Sequence, residues 1–358
     1  MNVGSTKEKN PEKRISITPD TSKSLKGLGL NVFLEKGYGD SLGYKDKDYK
    51  DNGVEILNDP KEVLSKSNLI CKVNFPIEDD FNFIKENSNL IVSNYNAEKE
   101  KNFLKNKINI FALNLLPRIT RAQSMDVLSS QANLAGYRAV IESIYEYEKA
   151  VPMMMTAAGT VPAAKVLVIG AGVAGLQAIA TAKRLGAIVS ATDVRLTAKE
   201  QVESLGGKFL TVEGSEDLET KGGYAKEAGE DFKKKQSQML ENAAFKNDII
   251  ICTALIPGKP APRIVNEKMI DNMRPGSVIF DLAVTQGGNA AYSEVDKIIN
   301  KKGVKIIGIS NVMNKLPLTA SNLYAKNIFS FVRNLYSKEK KQFIINMEDE
   351  IIKNTLIK

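Results

Sequence analysis

Short apolar runs alternate with amphipathic stretches through the first part of the chain, and this alternation predicts parallel β–α–β units. Helical spacing of apolar residues fills stretches such as 21–28 and 97–104. The strand-like runs are NVFLEKG (31–37), GVEIL (53–57), NLICKV (68–73), NLIVSN (89–94) and INIFALN (108–114).

A long helical pattern from Ser124 to Ala150 ends before Pro152, and a second series of apolar runs begins at Lys165. The runs of this series are VLVIG, AIVSATD (187–193), KFLTV (208–212), DIIICTA (248–254), SVIFDLA (277–283) and VKIIGIS (304–310). The pattern therefore predicts two doubly wound, parallel-sheet, Rossmann-like α/β domains joined by a connecting helix, with a cleft between them. We place the first domain at residues 1–125 plus about 312–358, completed by an amphipathic helix at 322–336, and the second at residues 126–311.

Residues 213–240 interrupt this rhythm, because they form a long, charged stretch that contains Gly222-Gly223-Tyr224. Such an insertion is either a mobile functional loop or plain surface. We predict a mobile loop.

A glycine-rich motif follows the apolar run at Val166–Ile169 directly and opens a helical pattern. Its spacing is that of a dinucleotide-binding turn, in which glycines permit a tight turn, close approach of a pyrophosphate and close helix packing. The predicted cofactor-binding residues of this turn are Gly170, Gly172, Val173, Ala174 and Gly175.

Asp193 ends the next strand, where a carboxylate can accept both ribose hydroxyls and repel a 2′-phosphate, so that NAD(H) is favoured over NADP(H). Val194 and Arg195 follow it in the predicted site, and Arg195 complicates the preference because an arginine there can accept a 2′-phosphate. Another glycine group, Gly37-Tyr38-Gly39 with Gly43, has the wrong spacing and predicts an ordinary turn.

Two further loops follow strands of the second domain, at the sheet edge where ligands bind in such folds. The earlier one, TALIPGKPAP (253–262), is either a loop over the ligand crevice or a rigid surface turn stiffened by its prolines. Asp281, after the later strand, is either a site acid or a helix cap. The predicted cofactor-binding residues in these loops are Thr253, Ala254, Leu255, Pro257 and Asp281.

Composition narrows the function. Among its 358 residues the chain has no histidine, which excludes any mechanism that needs an imidazole, and no spacing that indicates a metal site. The formal charge of +8 comes from scattered lysines, and there is no tryptophan, so we expect no nucleic-acid partner. The most apolar window, 163–182, contains Lys165, Gln177 and three glycines, so we expect no membrane span.

A polar segment, PRITRAQSMD (117–126), lies at the predicted domain junction and is either a nucleotide-binding segment or a plain polar loop. Together with VLVIGAGVAG, ATDVR, GGYAKE and TALIPGKPAP, it resembles the NAD(H)-binding component of proton-translocating nicotinamide nucleotide transhydrogenases, whose fold is shared with alanine dehydrogenase. The resemblance covers most of residues 12–350 and is densest from 117 to 284.

The resemblance implies catalytic-site roles for Arg118, Gln123, Asp126 and Ser129 around the nicotinamide, and for Tyr224 in a loop that closes over the nucleotide. It implies hydride transfer between NAD(H) on this chain and NADP(H) on a partner component, coupled to proton movement through membrane-spanning subunits on separate chains. The resemblance also implies a homodimer, located in the cytoplasm and peripheral on the cytoplasmic face of the inner membrane.

The main alternative is an amino-acid oxidoreductase similar to alanine dehydrogenase, since Arg14 and Lys72 match that family's substrate-binding positions. Against it, the catalytic histidine would fall within residues 95–97, where none exists, and the catalytic aspartate is replaced by Thr285. A non-catalytic NAD-binding module is a third possibility, which the ordered polar set of segment 117–126 disfavours.

Overall fold

A computed structural model describes residues 1–100, 107–212, 229–256 and 259–357. The chain divides into two compact units, Met1–Gln131 with Met313–Lys358, and Ala132–Val312. We call them unit 1 and unit 2. The boundary at residues 131 and 132 falls inside one long helix, which takes the place of the predicted connecting helix.

Unit 1 contains one sheet with the order β18-β6-β5-β4-β1-β2-β3, in which only the β18–β6 pairing is antiparallel. Labels follow chain order. The strands are β1 (Asn2–Ser5), β2 (Asn31–Glu35), β3 (Glu55–Leu57), β4 (Leu69–Cys71), β5 (Asn89–Val92), β6 (Asn109–Ala112) and β18 (Leu356–Ile357), with a small hairpin of β16 (Tyr336–Ser337) and β17 (Gln342–Phe343). The helices are α1 (Pro19–Gly27), α2 (Asp46–Lys50), α3 (Pro60–Lys66), α4 (Glu78–Phe81), α5 (Ala97–Glu100), α11 (Pro317–Leu335) and α12 (Glu350–Thr355).

Alternate residues of the unit 1 strands enter two different cores, as expected for a sheet covered on both faces. Leu69, Ile91 and Phe111 pack with Tyr324 and Phe331 of α11 in one core. Their neighbours along the same strands, Ile70, Leu90 and Ile110, point to the opposite face and lie in the other core. Helix α11, which begins at Pro317, thus packs in the core of unit 1 together with the strands from the first part of the chain.

Unit 2 repeats the same sheet plan, with the order β11-β10-β9-β12-β13-β15-β14 and an antiparallel β14 at one edge. Its strands are β9 (Lys165–Ile169), β10 (Ile188–Thr192), β11 (Lys208–Phe209), β12 (Ile249–Cys252), β13 (Val278–Asp281), β14 (Lys297–Lys301) and β15 (Val304–Gly308), with a separate hairpin of β7 (Met154–Thr156) and β8 (Gly159–Val161). Its helices are α7 (Val173–Arg184), α8 (Ala198–Ser204), α9 (Glu230–Lys246) and α10 (Glu267–Asp271), and α6 (Val127–Glu146) crosses the boundary between the units.

Both sheets have the order 3-2-1-4-5-6 when their parallel strands are counted in the order in which each unit contributes them, with one antiparallel strand added at an edge. This is the order of dinucleotide-binding sheets, and it places the reversal of strand order beside the first strand of each sheet. The predicted fold class of two doubly wound α/β units is confirmed. The reversal lies between β1 and β4 in unit 1 and between β9 and β12 in unit 2.

The predicted loop at 213–240 is wrong for its last part, because α9 begins at Glu230. Leu240, Ala243 and Ala244 of this helix are buried in the unit 2 core, and that packing stabilises a helix in a run rich in lysine and glutamine. Residues 213–228, including Tyr224, lie outside the described residues.

Candidate functional site

The glycine-rich turn begins where β9 ends and is constrained at its first glycine. Gly170 has φ +92°, a conformation that side chains with a Cβ rarely adopt. A Cβ there would also lie 2.7 Å from the Thr253 hydroxyl oxygen. Both the backbone angle and the lack of space therefore require glycine at this position.

The other two glycines of the motif differ in what surrounds them. A Cβ on Gly175 would lie 1.8 Å from the carbonyl oxygen of Gly170, so this glycine allows α7 to sit directly against the turn. A Cβ on Gly172 would meet no atom of the described residues within 4 Å. Gly172 caps the N-terminus of α7 and therefore faces open space beside the helix end, where a pyrophosphate could be bound.

The first turn of α7 consists of Val173, Ala174 and Gly175, which supply backbone N–H groups at the positive end of the helix dipole. Val173 is 40% exposed and Ala174 is partly buried, so this helix end is accessible to a ligand. The residues present fit the diphosphate of a dinucleotide.

Asp193 follows β10 and accepts several hydrogen bonds. Its Oδ2 accepts from the Ala171 N–H at 2.7 Å and from Arg195 Nη2 at 2.8 Å, and its Oδ1 accepts from the Arg195 N–H and Nε, both at 2.9 Å. The carboxylate thus ties the glycine-rich turn to the end of β10. Arg195 folds back onto the acid, and Val194 lies between them, partly buried.

The loop after β12 joins the glycine-rich turn through Thr253, whose hydroxyl donates to the Gly170 carbonyl at 2.8 Å. Ala254 is held at both its backbone groups by the buried Asn289, through its N–H at 3.0 Å and its carbonyl at 2.8 Å. Asn289 was not predicted from the sequence, although an amide directly after Gly287-Gly288 is a usable signal. Leu255 is 39% exposed, and Pro257 lies outside the described residues.

Asp281 at the end of β13 is fully buried. Its carboxylate accepts from the Ala283 N–H and the Ala290 N–H, each at 2.9 Å. Neither of the roles predicted for Asp281, a site acid or a helix cap, describes these contacts fully. The buried carboxylate stabilises the loops at this edge of the sheet through their backbone N–H groups. Asp281 holds the chain on both sides of Thr285, which is exposed.

The polar segment of unit 1 contains a short 3-10 helix, Thr120–Met125, directly before α6. Asp126 ends that turn, and its oxygens accept from the Ser129 N–H at 2.9 Å and the Ser129 hydroxyl at 2.6 Å. Two of the predicted site residues are therefore in contact with each other. Arg118 and Gln123 are exposed on the same segment.

Arg121, which lies between Arg118 and Gln123, has a structural role that was not predicted from the sequence. Its guanidinium forms an ion pair with Asp349, the N-cap of α12, and donates to Asn334 at 3.0 Å. The hydrogen bond from Arg121 lowers the pKa of Asp349 below its usual value. The C-terminal helices thus hold this segment in place.

Gly136 is a further residue whose importance was not predicted. A Cβ on it would lie 1.9 Å from the carbonyl oxygen of Ala174, in the first turn of α7. Asn133, nearly one turn earlier on α6, donates to Gln177 at 3.1 Å. A glycine in the middle of a long helix, where it weakens helix formation, is a signal of close packing that could have been used.

The strand-order reversal of unit 1 is filled by the chain's own charged residues. Lys72, after β4, donates from Nζ to the carbonyls of Thr6 and Lys7 and to the Thr6 hydroxyl, and lies 3.3 Å from Glu8. Burial raises the pKa of Glu8, against the opposing effect of the Lys72 charge. Binding of a dinucleotide is therefore favoured in unit 2 rather than in unit 1. The glycine group Gly37–Gly43 forms a turn after β2, as predicted.

Arg14, the other residue shared with the amino-acid oxidoreductase alternative, is also engaged. Its Nε and Nη2 both donate to Glu12 at 2.8 Å, and its Nη1 donates to Gln131 at 3.0 Å. Burial acts to lower the pKa of Arg14, but the hydrogen bond and charge of Glu12 outweigh it and raise that pKa. The guanidinium charge is thus balanced within unit 1.

Among residues 1–100, 107–212, 229–256 and 259–357, no group of three or more Cys, Asp or Glu side chains is placed to hold a metal ion. Within the same ranges, no helix combines the length and apolarity needed to cross a bilayer.

Comparisons with known proteins agree with this geometry. Models of the alanine dehydrogenase/PNT N-terminal and C-terminal domains match residues 4–135 and 139–358. A curated relative in Rhodospirillum rubrum is named as the first part of the NAD(P) transhydrogenase alpha subunit. The chain is 49% identical to it over 368 residues, covering 100% of this chain and 96% of that protein.

Two solved structures extend the comparison. A transhydrogenase from Sinorhizobium meliloti superposes with a TM-score of 0.88 at 44% identity, covering 99% of this chain and 98% of that one. An L-alanine dehydrogenase shares the fold, with a TM-score of 0.83 at 23% identity, covering 99% of this chain and 94% of that one. The chain therefore belongs to the alanine dehydrogenase/PNT family, and within it the chain is more similar to these transhydrogenases than to the alanine dehydrogenase.

Proposed function

We propose that this chain is the NAD(H)-binding component of a proton-translocating transhydrogenase, and that hydride passes between NAD(H) on this chain and NADP(H) on a partner component. The observation that carries the proposal is the polar segment from Arg118 to Ser129, in a chain without a histidine. Hydride transfer between two nicotinamides releases no N–H or O–H proton, so it needs orientation and exclusion of water rather than a base.

Each group of site residues has its own task in this proposal. The glycine-rich turn and the first turn of α7 bind the diphosphate, and Asp193 accepts from the adenosine ribose. Arg118 and Gln123 orient the nicotinamide end, while Asp126 and Ser129 fix each other and present one rigid polar edge. Thr253, Ala254 and Leu255 line the loop beside the turn, and Pro257 and Tyr224 remain predictions outside the described residues.

We propose that NADP(H) is bound by the partner and not by this chain. A carboxylate at Asp193 repels a 2′-phosphate. Arg195 could attract one, but its guanidinium donates twice to that same carboxylate. The pair therefore favours a ribose without a phosphate.

Two observations disfavour the amino-acid oxidoreductase alternative. Lys72 has an acceptor for each of its three ammonium hydrogens, and Arg14 is paired with Glu12 and Gln131. Moreover, Thr285 and residues 95–97 provide no group that takes a proton from an amine at neutral pH. A purely NAD-binding module would not need the ordered Asp126–Ser129 pair.

The proposed complex has its proton pathway in membrane-spanning subunits, and this chain is placed on their cytoplasmic face as a peripheral component. The name of the Rhodospirillum rubrum relative, which describes that protein as one part of a subunit, supports the proposal that this chain is one component of a larger complex.

We further propose a homodimer in which a second copy covers the β7–β8 hairpin. The stretch from Val151 to Ala164 carries no charged residue, and Met153 and Met155 are 64% and 84% exposed. A two-stranded hairpin is marginally stable in water unless something packs on it. A second copy offers the same uncharged hairpin, so a symmetric contact would cover both.

The test of the main proposal is reconstitution with the NADP(H)-binding component of a transhydrogenase, monitoring hydride transfer from NADPH to an NAD⁺ analogue. We expect transfer in the mixture and none with either component alone. NAD-dependent oxidation of alanine by this chain, without transfer in the mixture, would instead support the amino-acid oxidoreductase. NADH binding without either activity would support a binding module.

A further inference from the structure

The side chain of Asn327, in the middle of α11, joins two points of the polar segment. Its Nδ2 donates to the Ser124 carbonyl at 2.9 Å, and its Oδ1 accepts from the Ser130 hydroxyl at 2.7 Å. Asn327 is 8% exposed, so these bonds are largely shielded from water. Ser124 precedes Asp126, and Ser130 follows Ser129 directly. One amide therefore spans the turn that carries the predicted nicotinamide-contacting groups.

The same face of α11 makes further ties to this region. The Ala320 carbonyl, seven residues before Asn327 and hence on the same side of the helix, accepts from Gln131 Nε2 at 3.2 Å. Gln131 in turn accepts from Arg14 at 3.0 Å. The helix thus fixes α6 just beyond Ser130, and Asn327 fixes the turn before it.

We propose that Asn327 is a positioning residue for hydride transfer, acting through the backbone between Ser124 and Ser130. This role rests on the function proposed above. Within that turn the Asp126 N–H donates to the Gln123 carbonyl at 3.3 Å, so a shift at Ser124 moves both residues. Transfer between two nicotinamide rings depends steeply on geometry, and a displacement of about 1 Å can cost on the order of a hundredfold in rate.

The two hydrogen bonds require the side chain to donate at one atom and to accept at the other, and an amide of this length does both. The Ser124 carbonyl can only accept, so the nitrogen must face it. Aspartate has the same shape but would direct an oxygen at that carbonyl while keeping the acceptor for Ser130. Asn327→Asp therefore removes one tie and preserves the other, which makes it the most selective variant.

The experiment compares Asn327→Asp and Asn327→Ala with Asn322→Ala in the full-length chain. Asn322 lies on the same helix, but its side chain accepts from Tyr44, away from the polar segment. We expect kcat for transfer to the NADP(H) component to fall about tenfold or more in both Asn327 variants and less than twofold in Asn322→Ala. The Kd for NADH should change less than twofold in all three, because the glycine-rich turn proposed to bind the diphosphate belongs to unit 2 and Asn327 to unit 1.

Two further readouts separate positioning from general stability. Amide hydrogen exchange of residues 118–130 in the free protein should be faster in both Asn327 variants and unchanged in Asn322→Ala. In addition, Ser130→Ala should lower kcat in the wild-type background and have little further effect on Asn327→Ala, because that variant has already lost the bond.

The outcomes distinguish this role from the function on which it rests. Active wild-type mixtures with equally active Asn327 variants would overturn the positioning role and leave the function intact. Asn327 variants that lose thermal stability but keep kcat and the exchange rates of residues 118–130 would show a structural amide only. A wild-type chain that transfers no hydride would overturn the function and this role together.

Discussion

The two aspartates of the candidate site, Asp126 and Asp193, differ in how their oxygens are used. Those of Asp193 accept from Ala171 and from three N–H groups of Arg195, whereas those of Asp126, within the described part of the chain, accept only from Ser129. Binding of ribose hydroxyls at Asp193 therefore requires Arg195 to share the carboxylate or move aside. The charge of Asp193 then acts in two ways, by holding Arg195 and by repelling a phosphate.

Asp193→Asn should shift the nucleotide preference toward NADPH. The amide oxygen can still accept from Ala171, but the negative charge that would repel a 2′-phosphate is lost. We expect the ratio of the Kd for NADPH to the Kd for NADH to fall by about tenfold or more, as for a change of about 1.4 kcal/mol. Glu203→Gln, an exposed change of the same charge on α8, should leave the ratio unchanged. A shift of similar size in that control would mean that net charge alone sets the preference.

Gln123→Ala should separate catalysis from binding. Gln123 is exposed on the polar segment of unit 1, whereas the groups proposed to bind the diphosphate belong to unit 2. We therefore expect kcat for hydride transfer to fall about a hundredfold, the scale of a misoriented reactant, with the Kd for NADH within about threefold of wild type. Equal losses in kcat and in NADH affinity would make Gln123 only a binding residue. Stopped-flow transfer rates and fluorescence titration with NADH provide the two numbers.

At the residue scale, residues whose role follows from their neighbours in the sequence could be predicted. Residues whose side chains bind the backbone of a distant part of the chain could not. Gly170 and Asp193 are visible in the spacing around one strand and one helix. Asn289 and Asn327 are not, because each holds a carbonyl far away in the chain, on Pro262 and Ser124 respectively. The glycine pair before Asn289 marks a turn but not the carbonyl that its side chain reaches, and the helical pattern around Asn327 gives no local sign of its contact.

At the scale of elements, the position of α7 follows from glycines on both sides of its first turn. Gly175 brings the helix against the Gly170 carbonyl, and Gly136 brings α6 against the Ala174 carbonyl. The helix end proposed to bind the diphosphate is therefore fixed by contacts from the turn after β9 and from a second helix. Gly172, in contrast, contributes only open space.

Gly136→Ala and Gly172→Ala should consequently have opposite profiles. The added methyl group of Gly136→Ala meets the Ala174 carbonyl, so we expect the free energy of unfolding to fall by about 1–3 kcal/mol. Gly172 has φ −75° and no neighbour for a Cβ, so the stability of Gly172→Ala should be unchanged or up to about 1 kcal/mol higher.

Binding should follow a different order in the same two variants. Gly172→Ala should weaken NADH by about tenfold or more, because its methyl group lies where the diphosphate approaches. Chemical denaturation and isothermal titration of both variants provide the comparison. If Gly172→Ala bound NADH as tightly as wild type, the diphosphate would not lie at this helix end.

The strands were predicted well where they are apolar and buried. β4, β5, β9 and β12 all lie within predicted runs. β1 was missed although it lies beside the strand-order reversal, since Val3 is its only large aliphatic residue. Its Gly4 packs so closely on Ser67 that a Cβ would lie 2.0 Å from the hydroxyl oxygen. The hairpin β7–β8 and the antiparallel edge strand β14 were also missed, because neither has a continuous apolar run or a central place in a sheet.

At the scale of the whole chain, the same strand order occurs in both units, but different residues lie at the point where the strand order reverses. In unit 2 the glycine-rich turn leaves space, and in unit 1 Lys72 and Glu8 occupy the corresponding position. The alternation of strands and helices predicted both sheets, since it depends only on local patterns. Which of the two binds a nucleotide depends on the side chains that follow the first and fourth strands.

The association of the chain with a second copy can be tested through the exposed hairpin of unit 2. We expect the wild-type chain to sediment as a dimer and the double variant Met153→Asp, Met155→Asp to sediment as a monomer. Two charges per copy would be buried unpaired in a symmetric contact, at a cost of several kcal/mol. Ile298→Asp, which places a charge on another half-exposed apolar residue, should leave the dimer intact. Sedimentation velocity over a hundredfold range of concentration distinguishes these results, and a wild-type chain that is monomeric throughout would contradict the dimer. Hydride transfer measured on the monomeric variant would then show whether one copy suffices, as expected if Arg118, Gln123 and the glycine-rich turn act within a single chain.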